Sequence, residues 1–316
     1  MSNIGLKIRR WLLSENGKKW LYLGSSTVTI SLVLGHVLPH TILVTHYKEL
    51  VQFYNKGISV PVSDVLLQRF EKTLDLLNIH KSERFRFEPF MASGFDMFSI
   101  GAPGRFGVHI GMPVNFRYNK EMDVDKSNIR VNQASVIWDT DEGRQLIKSL
   151  IVPENAQMYA IARDIKMRDS FKLCFDTAYA FFFCTMTYTT STMLNQKLNL
   201  YVKPQALRFF SYGLVGLFSF GYYIMIKDLT QNYYEKKIDL ELKELSPIFA
   251  EGGREFYTKI LERNKALRIL MGKEGESVYT ALGNDNFFLR NKHLPIVQRK
   301  AFFEEKSGIN EEVVAN

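Results

Sequence analysis

Two cysteines, a trio of histidines, a run of glycines and two charges inside apolar segments are the side chains of this 316-residue chain that could carry chemistry. Cys174 and Cys184 have nine residues between them. On a helix the ten-residue step turns by roughly 1000°, leaving them about 80° apart and some 15 Å along the axis. A disulfide needs Cα atoms within about 7 Å, so the two read as small apolar side chains. His36, His40 and His46 invite a metal ion, but Pro39 breaks the helical spacing that would align the first two. No carboxylate stands among them before Glu49, so no metal ligands are expected. The glycines at 101, 104, 107 and 111 could cradle a phosphate. The string Gly-Ala-Pro-Gly-Arg-Phe-Gly is not G-x-G-x-x-G, no Gly-Lys-Ser/Thr ending follows, and turn glycines between short strands are the better account. No Gly-x-Ser-x-Gly, His-Glu-x-x-His, Cys-x-x-Cys or kinase-type set occurs. No catalytic residues, cofactor or small-molecule substrate are expected. His109 and His293 stand alone, and an enzyme site would require a cleft that joins groups such as His109, Asp123 and Asp125.

The charges in apolar runs point elsewhere. Residues 173–194, LCFDTAYAFFFCTMTYTTSTML, and 205–226, QALRFFSYGLVGLFSFGYYIMI, are joined by about ten polar residues. At helical rise each covers about 33 Å, enough for a bilayer, so the pair reads as a transmembrane hairpin over 173–227. Asp176 and Arg208 stand near the starts of their segments, at opposite faces of an antiparallel hairpin, and cannot pair. Lys172, four residues before Asp176, is the nearer partner. The threonines can bond back to the preceding turn. Gly213 and Gly216 mark the closest approach for a neighbouring helix.

The N-terminus needs the same treatment. Ile4, Ile8, Trp11 and Leu12 share a helical face with Lys7, Arg9 and Arg10 beside it, the acid-poor pattern of a mitochondrial targeting segment. Residues 20–38 then contain no Asp, Glu, Lys or Arg. Thr27, Ser31 and Gly35 recur every four residues as a small-residue seam, and Pro39 stops the helix. This segment, within 1–45, reads as a first membrane helix.

Two stretches are globular. Residues 46–172 carry a helix over 62–79 with Ser63 as N-cap, and strand-like runs at 84–90, 105–116 and 128–138. Helices over about 141–150 and 153–172 complete a small α+β soluble domain with an antiparallel sheet. Residues 228–316 form a helical C-terminal region, with a charged helix ending near Pro247, helices around 254–263 and 264–271, and a disordered tail. The fold class is therefore membrane α-helical, a hairpin plus an N-terminal span, with these two soluble parts. The net charge of +8 is spread in short clusters flanking the apolar runs, which suits anchors at a lipid surface and excludes a phosphate-tracking stripe for nucleic acid.

The C-terminal third resembles the transmembrane protein 177 family. The residues carrying the likeness are Gly252, Gly253, Glu255, Phe256, Tyr257, Gly272, Lys273, Gly275, Lys292, His293, Leu294 and Pro295, with weaker matches such as Gly94-Phe95 and Trp138. The resemblance implies a multi-pass protein of the mitochondrial inner membrane without catalytic residues. It implies a role in cytochrome c oxidase assembly, stabilising newly made subunit 2 together with that subunit's membrane chaperone. The rival expectation is a membrane-anchored enzyme with a site in the α+β domain.

Overall fold

The structure is a computed structural model that describes residues 7, 10, 11, 14–127, 129–132, 134–287 and 290–304. Ile4, Ile8, Arg9 and Leu12 of the basic amphipathic face, and residues 305–316 of the tail, lie outside the described residues. In chain order, α1 (Glu15–Val37) starts at Ser14, whose Oγ accepts the Gly17 N–H at 3.1 Å, and ends in a 3-10 turn at Leu38–His40 that holds Pro39. α2 (Val44–Val51) precedes a short hairpin of β1 (Tyr54–Asn55) and β2 (Ile58–Ser59). Next come α3 (Asp64–Leu76), β3 (Phe87–Ala92), β4 (Phe98–Gly101) and β5 (Val108–Pro113). A second small hairpin, β6 (Arg130–Val131) with β7 (Ala134–Ser135), leads to α4 (Asp141–Leu150) and α5 (Glu154–Arg168). The long helices α6 (Lys172–Lys197) and α7 (Gln205–Leu245) follow, then α8 (Pro247–Leu270), α9 (Lys273–Val278) and α10 (Ile296–Glu304).

The chain divides into two compact units, Met1–Thr41 with Phe171–Thr230, and Ile42–Ser170 with Gln231–Asn316. The four stretches drawn from sequence thus regroup in pairs, because partners in each pair bury their faces on one another. In the first unit α1 packs along α6, with Tyr22 edge-on to Tyr188 at 6.4 Å. α6 meets α7 through long side chains: Tyr179 bonds Thr230 at 3.0 Å, Asn195 bonds Tyr212 at 2.5 Å, and Phe183 stands 5.5 Å from Tyr223. Five of the six threonines of α6 bond a carbonyl one turn back, as expected for hydroxyls without water. Two helical segments among the described residues are long and apolar enough to cross a membrane, Glu15–His40 and Gln205–Leu245. α6 forms over the predicted stretch and has the length, but its threonines keep it below that apolarity. α7 also continues well past residue 226, because no glycine or proline interrupts 222–246.

The second unit is organised around α5, which is buried on nearly every side by Ala156–Ala162 and Ile165. Against it lie Leu66, Phe70 and Leu74 of α3, Met91 of β3, Ile110 and Met112 of β5, and Phe249 and Tyr257 of α8. Ser63 occupies the N-cap of α3, though its hydroxyl makes no cap bond. The sheet order is β3-β5-β4, with β4–β5 antiparallel and β3–β5 parallel. This corrects the antiparallel expectation. The β4–β5 hairpin turns at 102–107, while the short link 93–97 carries the chain from β3 past one strand position, so β5 enters between them. β4 was not foreseen. The 128–138 run makes only the β6–β7 hairpin. The two C-terminal helices expected over 254–271 are one helix, α8, which begins with Pro247 in its first turn.

Gly252 and Gly253 lie inside α8 where a side chain would not fit. A Cβ on Gly252 would sit 2.1 Å from the Asn155 carbonyl oxygen, and one on Gly253 2.5 Å from the Phe303 ring. Gly252→Ala is expected to destabilise the full chain by about 1–3 kcal/mol, from overpacking against fixed backbone. Thermal unfolding in detergent checks this, with Gly213→Ala as the comparison that does not lower the transition, since a Cβ there meets nothing within 4 Å.

Candidate functional site

Of the helix-docking residues read from sequence, Thr27, Ser31 and Gly35 of α1 are all exposed. The stripe half-buried in the first unit is Ser25, Thr29, Val33 and His36 instead. Two residues turn a helix by about 200°, so the small-residue seam lies on the face away from that stripe. Gly213 and Gly216 of α7 likewise have nothing within 4 Å of a Cβ position, so neither provides a close approach among the described residues. The aromatic side chains of Phe183, Phe220 and Tyr223 hold α6 and α7 apart. Asp176 takes Lys172 as its partner at 2.5 Å, and Arg208 stacks over Tyr201 at 5.4 Å, so the two charges stay separate as the hairpin geometry requires.

The trial enzyme site does not assemble. His109 of β5 faces Glu88 of β3 at 3.1 Å, and Lys48 bonds the same carboxylate at 2.6 Å. Asp123 accepts the N–H groups of Asn119 and Lys120 at 2.9 Å, and Asp125 accepts from Ser127 at 2.6 Å. Each carboxylate serves its own turn. His36 bonds Tyr223 at 3.0 Å while His46 pairs with Glu49, and no group of three or more His, Cys, Asp or Glu able to hold a metal occurs among the described residues.

The concentrated polar chemistry lies in the second unit. Asp239 of α7 is fully buried and accepts two parallel bonds from Arg299 of α10, Nε to Oδ2 at 2.7 Å and Nη2 to Oδ1 at 2.9 Å. Tyr159 of α5 donates to Oδ1 at 2.6 Å, and Tyr257 of α8 donates to the same carboxylate at 3.1 Å. Burial pushes both phenols up, so they remain protonated donors. One turn earlier on α7, Glu235 accepts from Gln231 at 2.7 Å, His293 at 2.6 Å and the Leu294 N–H at 2.9 Å, and lies 3.5 Å from Arg299. Burial pushes its carboxyl up, but the His293 bond and the charges of Arg299 and His293 outweigh that and hold it at about 2. With its oxygens engaged by donors from four directions, the cluster is a clamp joining α5, α7, α8 and α10. It offers no spare base for proton transfer.

The likeness read from sequence converges here. Tyr257 belongs to the cluster, His293 and Leu294 grip Glu235, and Gly252 and Gly253 let α8 close on its neighbours. A family model described as transmembrane protein 177 matches residues 92–304, which span the whole clamp. The chain belongs to the transmembrane protein 177 family. Curated members are similar along most of their length. The Danio rerio protein is 32% identical over 272 residues, covering 84% of this chain and 84% of its own. The Xenopus laevis protein is 28% identical with 86% and 89% covered, and the Homo sapiens protein 27% with 84% of each. No solved structure matches the chain.

Within this family member, the other motif residues have structural places. Phe256 is buried beside Tyr159, Glu255 is half-buried on α8, and Gly272 turns the chain at φ +61° before Lys273 opens α9. A Cβ on Gly275 would collide with the Arg268 carbonyl at 2.2 Å, while Lys292 and Pro295 are exposed. Sequence reading missed Asp239, Glu235, Arg299 and Tyr159. A signal existed, because Glu235 and Asp239 stand four apart on the same stripe as Ile238 and Leu242. Two acids on an apolar stripe demand buried partners.

Removing the cation should show the clamp's weight. Arg299→Met leaves Asp239 buried and unpaired and is expected to cost about 3–5 kcal/mol in chemical denaturation, with Asp239→Leu added in the same chain recovering much of the loss. The pH sign follows from Glu235, whose folded value of about 2 lies below its ordinary 4.5. Its contribution is complete above about pH 4.5 and disappears as pH falls towards 2. Stability measured across that window should drop less steeply in Glu235→Gln than in the unaltered chain.

Proposed function

We propose that this transmembrane protein 177 family member is a non-enzymatic, multi-pass assembly factor of the mitochondrial inner membrane. It stabilises newly made cytochrome c oxidase subunit 2 together with that subunit's membrane chaperone, and its lipid-facing helices do the docking. The observation that carries this reading is the open face of α7, where Gly213 and Gly216 have nothing within 4 Å and stand beside the exposed Phe209, Phe210, Leu217 and Phe218. In a membrane, helices associate where small residues let backbones close and side chains interlock, and this face has that composition with no partner among the described residues. The basic N-terminal residues support a mitochondrial address, and the engaged carboxylates of the second unit support a structural over a catalytic role.

Replacing both Gly213 and Gly216 with Leu tests it, because the added side chains enter open space and leave the chain's own packing intact. Recovery of the subunit 2 chaperone with the tagged variant should fall at least about fivefold, a loss of about 1 kcal/mol of association. Membrane insertion and expression should stay level. Unchanged recovery would remove the α7 face from the docking surface.

A further inference from the structure

Between α1 and α6 runs a groove of about 960 Å³ that none of the family-motif residues and neither α7 glycine lines. Its two ends differ in chemistry. Lys18, Asn195, Tyr201 and Tyr212 line one end, and Val28, Leu32, Phe183 and Cys184 lie towards the other. Asn195 is 4% exposed and spends its Nδ2 on the Tyr212 hydroxyl, while its Oδ1 has no hydrogen-bond partner. The groove therefore borders a buried polar group with unmet capacity, which is costly away from water and is met by a ligand group or bound water.

Charge and length select the occupant. The segments meeting at the polar end, 14–20 and 195–208, contain Lys18, Lys19, Lys197, Lys203 and Arg208 against the single acid Glu15. From Lys18 to Leu32 the helix rises about 21 Å. That matches half of the 40–45 Å bilayer with its headgroups, the reach of one lipid from phosphate to chain end. The three wall threonines already bond their own backbones, Thr29 to Ser25, Thr187 to Phe183 and Thr192 to Tyr188, which leaves their methyl groups for whatever lies there. We propose that this groove binds an anionic phospholipid, its phosphate and headgroup hydroxyls at Lys18, Asn195 and the two tyrosines and its acyl chains along α1 and α6.

The proposal requires only the membrane setting of the family and is independent of any client protein. It is tested on the full chain purified in detergent, by native mass spectrometry during titration with dioleoyl phosphatidylglycerol and, separately, dioleoyl phosphatidylcholine. One phosphatidylglycerol should remain bound with at least about tenfold preference over phosphatidylcholine. Lys18→Gln, at an exposed position that leaves folding untouched, should reduce that preference about threefold or more. Val28→Trp, which fills the groove, should remove the bound lipid, whereas Ile30→Trp, about 200° round the helix on the exposed face, should not. Equal retention of both lipids, or retention indifferent to Lys18→Gln and Val28→Trp, would overturn it. A photo-crosslinking benzoylphenylalanine at position 191 in mitochondrial membranes decides against a rival occupant. An adduct of phospholipid mass supports the proposal, and a polypeptide adduct or no adduct overturns it.

Discussion

The carboxylate of Asp239 has no water to turn to, and the second unit is arranged around that constraint. Taking a charge out of water costs several kcal/mol, and only close, well-directed partners return it. Arg299 supplies the countercharge in a two-pronged geometry, and two phenols complete the carboxylate's coordination. Because those partners come from α5, α8 and α10, the bond fixes which helices meet and in what register. Glu235, one turn away, extends the same logic to the 291–295 segment, which would otherwise have little apolar surface with which to hold itself down. A well-packed apolar core of similar volume could be as stable; the ionic version excludes alternative packings, because any slip leaves a charge unpaired.

The first unit obeys the opposite constraint. Its helices satisfy their backbones internally and bond their threonine hydroxyls to the preceding turn, yet they leave Phe182, Phe209, Phe210, Leu217 and Phe218 uncovered. In water such a surface would drive association. In lipid it is solvated, and what remains specific is where small residues or polar groups interrupt it. One chain thus carries a unit held by buried charge pairing, with Asp239 and Glu235 as its ties, and a unit whose outward chemistry is apolar.

Much was legible without the fold. Period and length located α3, α4, α5, α6 and the start of α7, and composition marked the apolar segments and the pairing of Asp176 with Lys172. The glycines at 252, 253 and 275 were legible as a family likeness, but their reason, backbone approaching within contact distance, was not. The parallel pairing of β3 with β5 was hidden too. Strand propensity is the same for either direction, and only the order of insertion decides it. The small-residue seams were legible as faces, but spacing is silent on what covers them, and Gly35, Gly213 and Gly216 stand open.

Sequence by itself determined the apolar segments, the helix stops at proline, the basic flanks and membership of a family, since these depend on residues near one another in the chain. Tertiary structure alone decided which faces are covered, that Asp239 meets Arg299 sixty residues on, and that α1 and α6 enclose a groove with a cationic end. The physical reason is the range of the interactions. Propensity and periodicity act within a few residues, whereas pairing a buried charge or shaping a groove depends on segments whose proximity is set only when the whole chain has packed.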